Sequence, residues 1–191
     1  DLRIGSPSRY RWSYAASKAL DEFMALAFHK EYGLAPVVVR LFNTVGPRQV
    51  GTYGMVLPRF VQAARSGVAL QVFGDGTQSR CFCHVHDTVR ALIGLIDEPL
   101  AVGEIFNVGR TEPISNLELT NHVIDVLGSR STVTFVPYEK AYAPGFEDMP
   151  RRMPDITKVG RTIGWRPMRS LDTIIREIDE YFATCEQSVA P

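Results

Sequence analysis

The stretch FMALAFHKEYGLAPVVVRLFNTVG, residues 23–46, decides how this chain folds. Upstream of Gly33 the apolar residues keep a helical interval: Leu20, Phe23, Met24, Ala27 and Phe28 lie along a helix that runs from Trp12 to about Tyr32. Gly33 reads as its stop. In APVVVRLFN the period changes. That run is β-branched, too short for a helix and too evenly apolar for a half-exposed strand, so it predicts a buried parallel strand. NTVGPRQVGTYG then reads as a long Gly-rich loop, of the length that often carries function.

Helices and strands continue to alternate downstream. MVLPRFVQAARSG predicts a helix, and LQVFG and SRCFCHV flank the turn DGTQ as a predicted hairpin. HDTVRALIGLIDEP predicts a further helix with Asp87 near its start. GEIFNVG is a short strand between glycines. Ser115 stands three residues before Glu118, the signature of a capped helix over SNLELTNHVIDVLG. VTFVPY reads as a strand, residues 139–154 as a proline-rich loop, and SLDTIIREIDEYFAT as an amphipathic helix opened by Ser170. Strands separated by helices predict an α/β fold with a parallel sheet, joined by a smaller α+β element.

Composition narrows the function classes. Lys+Arg and Asp+Glu both number 21 in 191 residues, so no basic field draws the chain to nucleic acid or an anionic membrane. No apolar run approaches the roughly 20 residues of a membrane helix. Three cysteines, Cys81, Cys83 and Cys185, make no disulfide framework, and a reducing cytoplasm is the expected compartment.

Tyr14 and Lys18 stand four residues apart, so a helix stacks both side chains on one face. A phenol, with an ordinary pKa of about 10, is a poor base at neutral pH, and bringing it to about 7 takes roughly 4 kcal/mol. A fixed ammonium one turn away supplies part of that, and a cationic ring another part. An ordinary solvated helix face carries the same two residues. In CFCHVH, Cys81, Cys83, His84 and His86 have metal-ligating chemistry. On a strand the two cysteines point one way while Arg80, Phe82, His84 and His86 point the other, which cannot close one tetrahedral site. Inward-packed thiols are the expectation there.

Five ordered motifs bear on the function: RWSYAASKALDEF, VVVRLFNTVGPRQ, VFGDGTQSRCFCHVHD, FNVG, and RRMPDITK followed by IGWRP. Together they resemble the NAD-dependent epimerase/dehydratase family, extended short-chain dehydrogenases acting on nucleotide sugars, from about Pro7 to Phe182. The resemblance implies the C-terminal part of a Rossmann-like parallel sheet plus a small nucleotide-sugar-binding domain. Residues 1–42 and 84–112 would belong to the first, 43–83 and 113–191 to the second. It implies that Tyr14 is the acid/base that takes the proton from the sugar 4-hydroxyl while hydride passes from carbon 4 to NAD. Lys18 would lower the phenol's pKa and bond the nicotinamide ribose. Asn43 would contact the sugar nucleotide. Arg80 and Arg152 would hold the diphosphate, with Arg151 the neighbouring alternative to Arg152. Leu57, Pro58, Val72 and Phe73 match segments around the base and ribose, and core packing explains them equally. A homodimer through a four-helix bundle that includes the tyrosine helix is also implied.

The family's dinucleotide half has no counterpart ahead of Tyr14. Gly46, Gly51 and Gly54 do not form its Gly-rich turn, and they follow the tyrosine helix instead of a first strand. A start at Asp1 fits a partial product, with a companion N-terminal fragment, a symmetric partner or a rearranged fold covering an otherwise unpaired strand edge. The motifs leave a UDP-sugar decarboxylase, epimerase or dehydratase open. They also leave open a non-catalytic nucleotide-sugar-binding fragment or subunit.

Overall fold

The computed structural model describes residues 5–6, 8–9, 11–51, 55–141, 149 and 151–189. Asp1, Pro7 and the central parts of the two predicted long loops (52–54, 142–148 and 150) lie outside the described residues. The elements run α1 (Arg11–Tyr32), β1 (Val38–Leu41), β2 (Thr44–Val45), α2 (Val56–Arg65), β3 (Leu70–Phe73), β4 (Ser79–Arg80) and β5 (Cys83–His84). They continue with α3 (Val85–Ile96), β6 (Ile105–Val108), β7 (Ile114–Ser115), α4 (Asn116–Leu127), β8 (Val133–Val136), α5 (Tyr138–Ala141), β9 (Arg151–Arg152), α6 (Thr157–Ile163) and α7 (Leu171–Val189).

Parallel pairing dominates, as the alternation of strands and helices predicts. β1 pairs with β6, Val38 opposite Ile105 and Leu41 opposite Val108. β2 pairs with β5, and β3 with β8. β4 lies between β7, antiparallel, and β9, parallel.

The predicted hairpin of LQVFG on SRCFCHV does not form, because β3 takes β8 as its partner. Gly74 and Gly76 both have positive φ, and Thr77 donates its amide to the Asp75 carboxylate at 3.0 Å. Gly76 packs so closely on Val72 and Leu117 that a Cβ there would stand 2.7 Å from Val72 Cγ1. The chain therefore turns out of the β3 plane, and Leu70 and Val72 are buried beneath α2 and α4.

Two apolar clusters hold the fold. In α2, Leu57, Phe60, Val61 and Ala64 keep helical spacing and pack with Val72, Leu119, Val123, Ile174, Ile175 and Ile178. Burying each large side chain of this kind contributes about 1.5–3 kcal/mol. A capping box closes the start of α4, Ser115 and Glu118 satisfying each other's backbone amides, and Gly128 ends it at φ +60°. The second cluster joins Phe106 and Val108 of β6 to Ala91 and Leu95 of α3, with Val159 and Trp165 from the C-terminal third.

β1 is only half-buried, contrary to the expectation for VVVRL, because among the described residues it has a strand neighbour on one side alone. α1 is more open still. Ala19 is its one fully buried side chain among those described, while Leu20, Phe23, Met24 and Phe28 are exposed, Phe23 at 72%.

Candidate active site

β1 delivers its carboxyl end to Asn43, which adopts φ +39°, a left-handed conformation that asparagine tolerates better than most residues. Its Nδ2 donates to the Cys81 carbonyl at 2.9 Å, and its own carbonyl accepts the Cys83 amide at 3.1 Å. Asn43 thus fastens the end of β1 to the segment that follows Arg80. Gly46 makes the next bend, where a Cβ would stand 2.7 Å from Val85 Cγ1.

The β4–β9 ladder sets Arg80 opposite Arg152. Nη1 of Arg80 donates to the carbonyls of Ser79 and Met149 at 2.8 and 2.7 Å. The Arg152 guanidinium lies 5.1 Å from the centroid of the Phe42 ring. Burial, and then the like charge of Arg80, push the Arg152 pKa down, while the Tyr14 phenol acts in the opposite direction. Arg80 and Arg152 therefore stand side by side, with Phe42 against the second guanidinium. Arg151, by contrast, is exposed and stands opposite Ser79.

Tyr14 and Lys18 lie one turn apart on α1. The Tyr14 side chain is open to solvent, 70% exposed. Lys18 Nζ holds the Asp21 carboxylate at 2.7 Å, a contact that raises the ammonium's pKa and keeps it charged. Of the base-region candidates, Leu57 and Val72 have essentially no exposed surface and belong to the core, and Pro58 is buried with them. Their side chains present no face to a ligand. Phe73 is half-buried, with the Arg59 guanidinium 5.0 Å from its ring centroid.

Residues 3–109 match the NAD dependent epimerase/dehydratase family. The chain belongs to this family. It is 40% identical over 187 residues to the UDP-N-acetyl-alpha-D-glucosaminuronate decarboxylase of Bacillus cytotoxicus, a match covering 97% of this chain and 58% of that one. The dTDP-glucose 4,6-dehydratase of Bacillus anthracis, solved in complex with NAD, superposes with a TM-score of 0.81 at 26% identity, over 98% of this chain and 55% of that chain. The UDP-glucuronic acid 4-epimerase of Bacillus cereus, solved with UDP-glucuronic acid and NAD, superposes with a TM-score of 0.79 at 25% identity, over 90% of this chain and 52% of that one. The chain spans roughly half the length of the curated relatives it matches.

In this member of the NAD-dependent epimerase/dehydratase family, His84 and His86 do not share one strand face, contrary to the expectation from CFCHVH. β5 ends at His84, and His86 lies in the first turn of α3. Ligating atoms of both histidines and of Glu177 lie within 4.8 Å of one another. All three groups are engaged in hydrogen bonds. Nδ1 of His84 accepts the His86 amide at 3.0 Å, which leaves the ring proton on Nε2, bonded to Glu177 at 2.8 Å. Arg169 Nη2 occupies Nδ1 of His86 at 3.1 Å. The cluster is a tie between α3 and α7. Sequence alone misses Glu177, which lies 93 residues from His84. Burial raises the pKa of Cys81 and Cys83, so both are unreactive packing groups.

A cleft of about 550 Å³ opens between Phe82, Ile114, His122 and Leu171. Its charged lining is paired, His122 with Asp172 at 2.7 Å and Arg110 with Glu112 at 2.6 Å, while Glu118 serves the α4 cap. Among the described residues no helix is long and apolar enough to cross a membrane.

Proposed function

We propose that this chain is the substrate-side portion of an NAD-dependent enzyme that transforms a UDP-sugar, beginning with oxidation at carbon 4. The observation that carries the reading is the register pair Arg80–Arg152 on the parallel strands β4 and β9. Two guanidiniums side by side suit a diphosphate, to which they offer charge-assisted, bidentate hydrogen bonds. Asn43 orients the sugar beside them. Tyr14 takes the proton of the 4-hydroxyl, with the Lys18 ammonium one turn away on the same helix.

The described residues fit one end of NAD. Exposed Tyr14 and Lys18 would hold the nicotinamide ribose, whereas none of the described glycines forms the turn that a pyrophosphate needs. Bound NAD supplies the hydride acceptor. We assign 1–42 and 84–112 to the dinucleotide side and 43–83 and 113–191 to the sugar-nucleotide side. The apolar face of α1 then serves a homodimer, and a companion N-terminal portion covers the free edge of β1. Buried thiols at Cys81 and Cys83 suit a reducing cytoplasm.

Among the outcomes after carbon 4, decarboxylation of a UDP-uronic acid is favoured by the uronate decarboxylase relative. The test has two parts. Calorimetric titration of the chain should give binding of UDP and none of NAD. The full-length protein carrying this chain should release carbon dioxide from UDP-glucuronate or its N-acetylglucosamine counterpart. Turnover without carbon dioxide moves the assignment to epimerase or dehydratase, and failure to bind UDP overturns the reading. A non-catalytic nucleotide-sugar-binding role has its own support, since the arginine pair is complete here and the dinucleotide turn is not. Binding of UDP with no turnover in the full-length protein would establish it.

A further inference from the structure

Glu22 continues the line of Tyr14 and Lys18 along α1, one further turn on. Both its oxygens accept from Arg40 of β1, Oε1 from Nε at 2.6 Å and Oε2 from Nη2 at 2.5 Å. The pair is largely withdrawn from water, with side-chain exposures of 15% for Glu22 and 30% for Arg40. Its setting gives it weight. α1 buries one side chain among those described, so apolar packing does little to set its position against the sheet. A planar guanidinium held at two points by a carboxylate fixes orientation as well as distance. Arg40 also precedes Asn43 by three residues on the strand that delivers it to the site.

We infer that Glu22, gripping Arg40, is a positioning residue that sets Tyr14 against the sugar-binding side of the site. The inference rests on the carbon-4 oxidation reading for its catalytic consequence. The geometry gives a lever. At 1.5 Å rise per residue, Tyr14 stands about 12 Å along the helix from Glu22, so a tilt of about 5° at the tether moves the phenol by about 1 Å. A displacement of that size costs up to about 100-fold in rate when reacting groups must meet in one geometry. The diphosphate arginines lie on the β4–β9 ladder, which the tilt does not touch.

The test is Glu22→Gln, with Arg40→Lys beside it, in the full-length protein carrying this chain. The expected result is a fall in kcat of about 10- to 100-fold, with KM for the nucleotide sugar within about twofold and the protein still folded at the assay temperature. Unchanged kcat overturns the inference, and so does a joint loss of kcat, KM and thermal midpoint, which marks a merely structural tie. If the unsubstituted protein shows no turnover, the carbon-4 reading fails on its own. Hydrogen exchange of the chain then decides the tether. Faster exchange confined to α1 in Glu22→Gln supports it, and unchanged α1 protection refutes it.

Discussion

Arg80 and Arg152 stand directly opposite each other on the parallel strands β4 and β9, with Phe42 flanking the second guanidinium at 5.1 Å. Two like charges on neighbouring strands are destabilising where nothing offsets them. The depressed pKa of Arg152 records that cost, burial first and Arg80 second. The diphosphate proposed for this pair would offset that repulsion.

Replacing Arg152 with Gln removes one charge-assisted donor set, worth about 1.5–3 kcal/mol. UDP affinity should fall roughly 10- to 100-fold by calorimetry. The thermal midpoint should hold or rise, since a half-buried like charge is removed. Raising the salt concentration should weaken binding in the parent chain more than in Arg152→Gln.

Tyr14→Phe keeps the ring and deletes the proton-carrying oxygen. Turnover by the full-length protein should fall by about 10² to 10⁴, the range for a lost acid/base. UDP affinity should stay within twofold, because the phenol takes no part in holding the diphosphate. Parallel loss of both quantities would place Tyr14 in binding.

Asp87 is a buried carboxylate whose Oδ2 accepts the amides of Met168 and Arg169 at 2.9 and 3.0 Å, while Oδ1 meets Arg90 at 2.9 Å. Burial alone would raise its pKa, but these donors together outweigh it and hold the carboxyl below the usual value. Its contribution is therefore present above the unfolded pKa of about 4 and disappears as pH falls through the folded value. Asp87→Ala strands the amides of Met168 and Arg169 and should cost about 3 kcal/mol in urea unfolding at pH 7.

His84 is held neutral, because burial lowers its pKa more than Glu177 raises it. Below about pH 6.5 the unfolded chain takes up a proton that the folded chain refuses, so stability declines from there toward the folded pKa. Asn retains an N-cap acceptor and does not titrate. Unfolding midpoints measured between pH 5 and 8 should thus depend less on pH in His84→Asn. Zinc at micromolar concentration should leave the parent midpoint unmoved.

The free edge of β1 and the apolar face of α1 should make the isolated chain self-associate. Phe23→Lys should lower the associated fraction in analytical ultracentrifugation and leave the unfolding midpoint within about 0.5 kcal/mol, as an exposed substitution does. A monodisperse monomer in the parent would contradict this.

Local signals were legible wherever one element's own residues decide it. The Ser115–Glu118 box, the spacing in α2 and the change of period at Gly33 each act within a few residues, and the helices and the parallel β1 follow from them. The hairpin misled because turn chemistry at Gly74–Gly76 says where a chain bends and not which strand it meets. β8 lies some sixty positions away, and its pairing is settled by what Leu70 and Val72 bury. The same holds for Leu57 and Val72 as ligand candidates, since an apolar residue in a binding segment and one in a core look alike until burial is known.

By itself the sequence determined the alternating α/β order, the Tyr14–Lys18 spacing and the family, all of which depend on residue type and local interval. Only the tertiary structure decided that Arg152 and not Arg151 opposes Arg80, that Glu177 accepts the Nε2–H of His84, and that Glu22 grips Arg40. Each of those is a contact between distant segments. Strand register and helix docking create them, and both minimise the energy of the whole core instead of any one stretch.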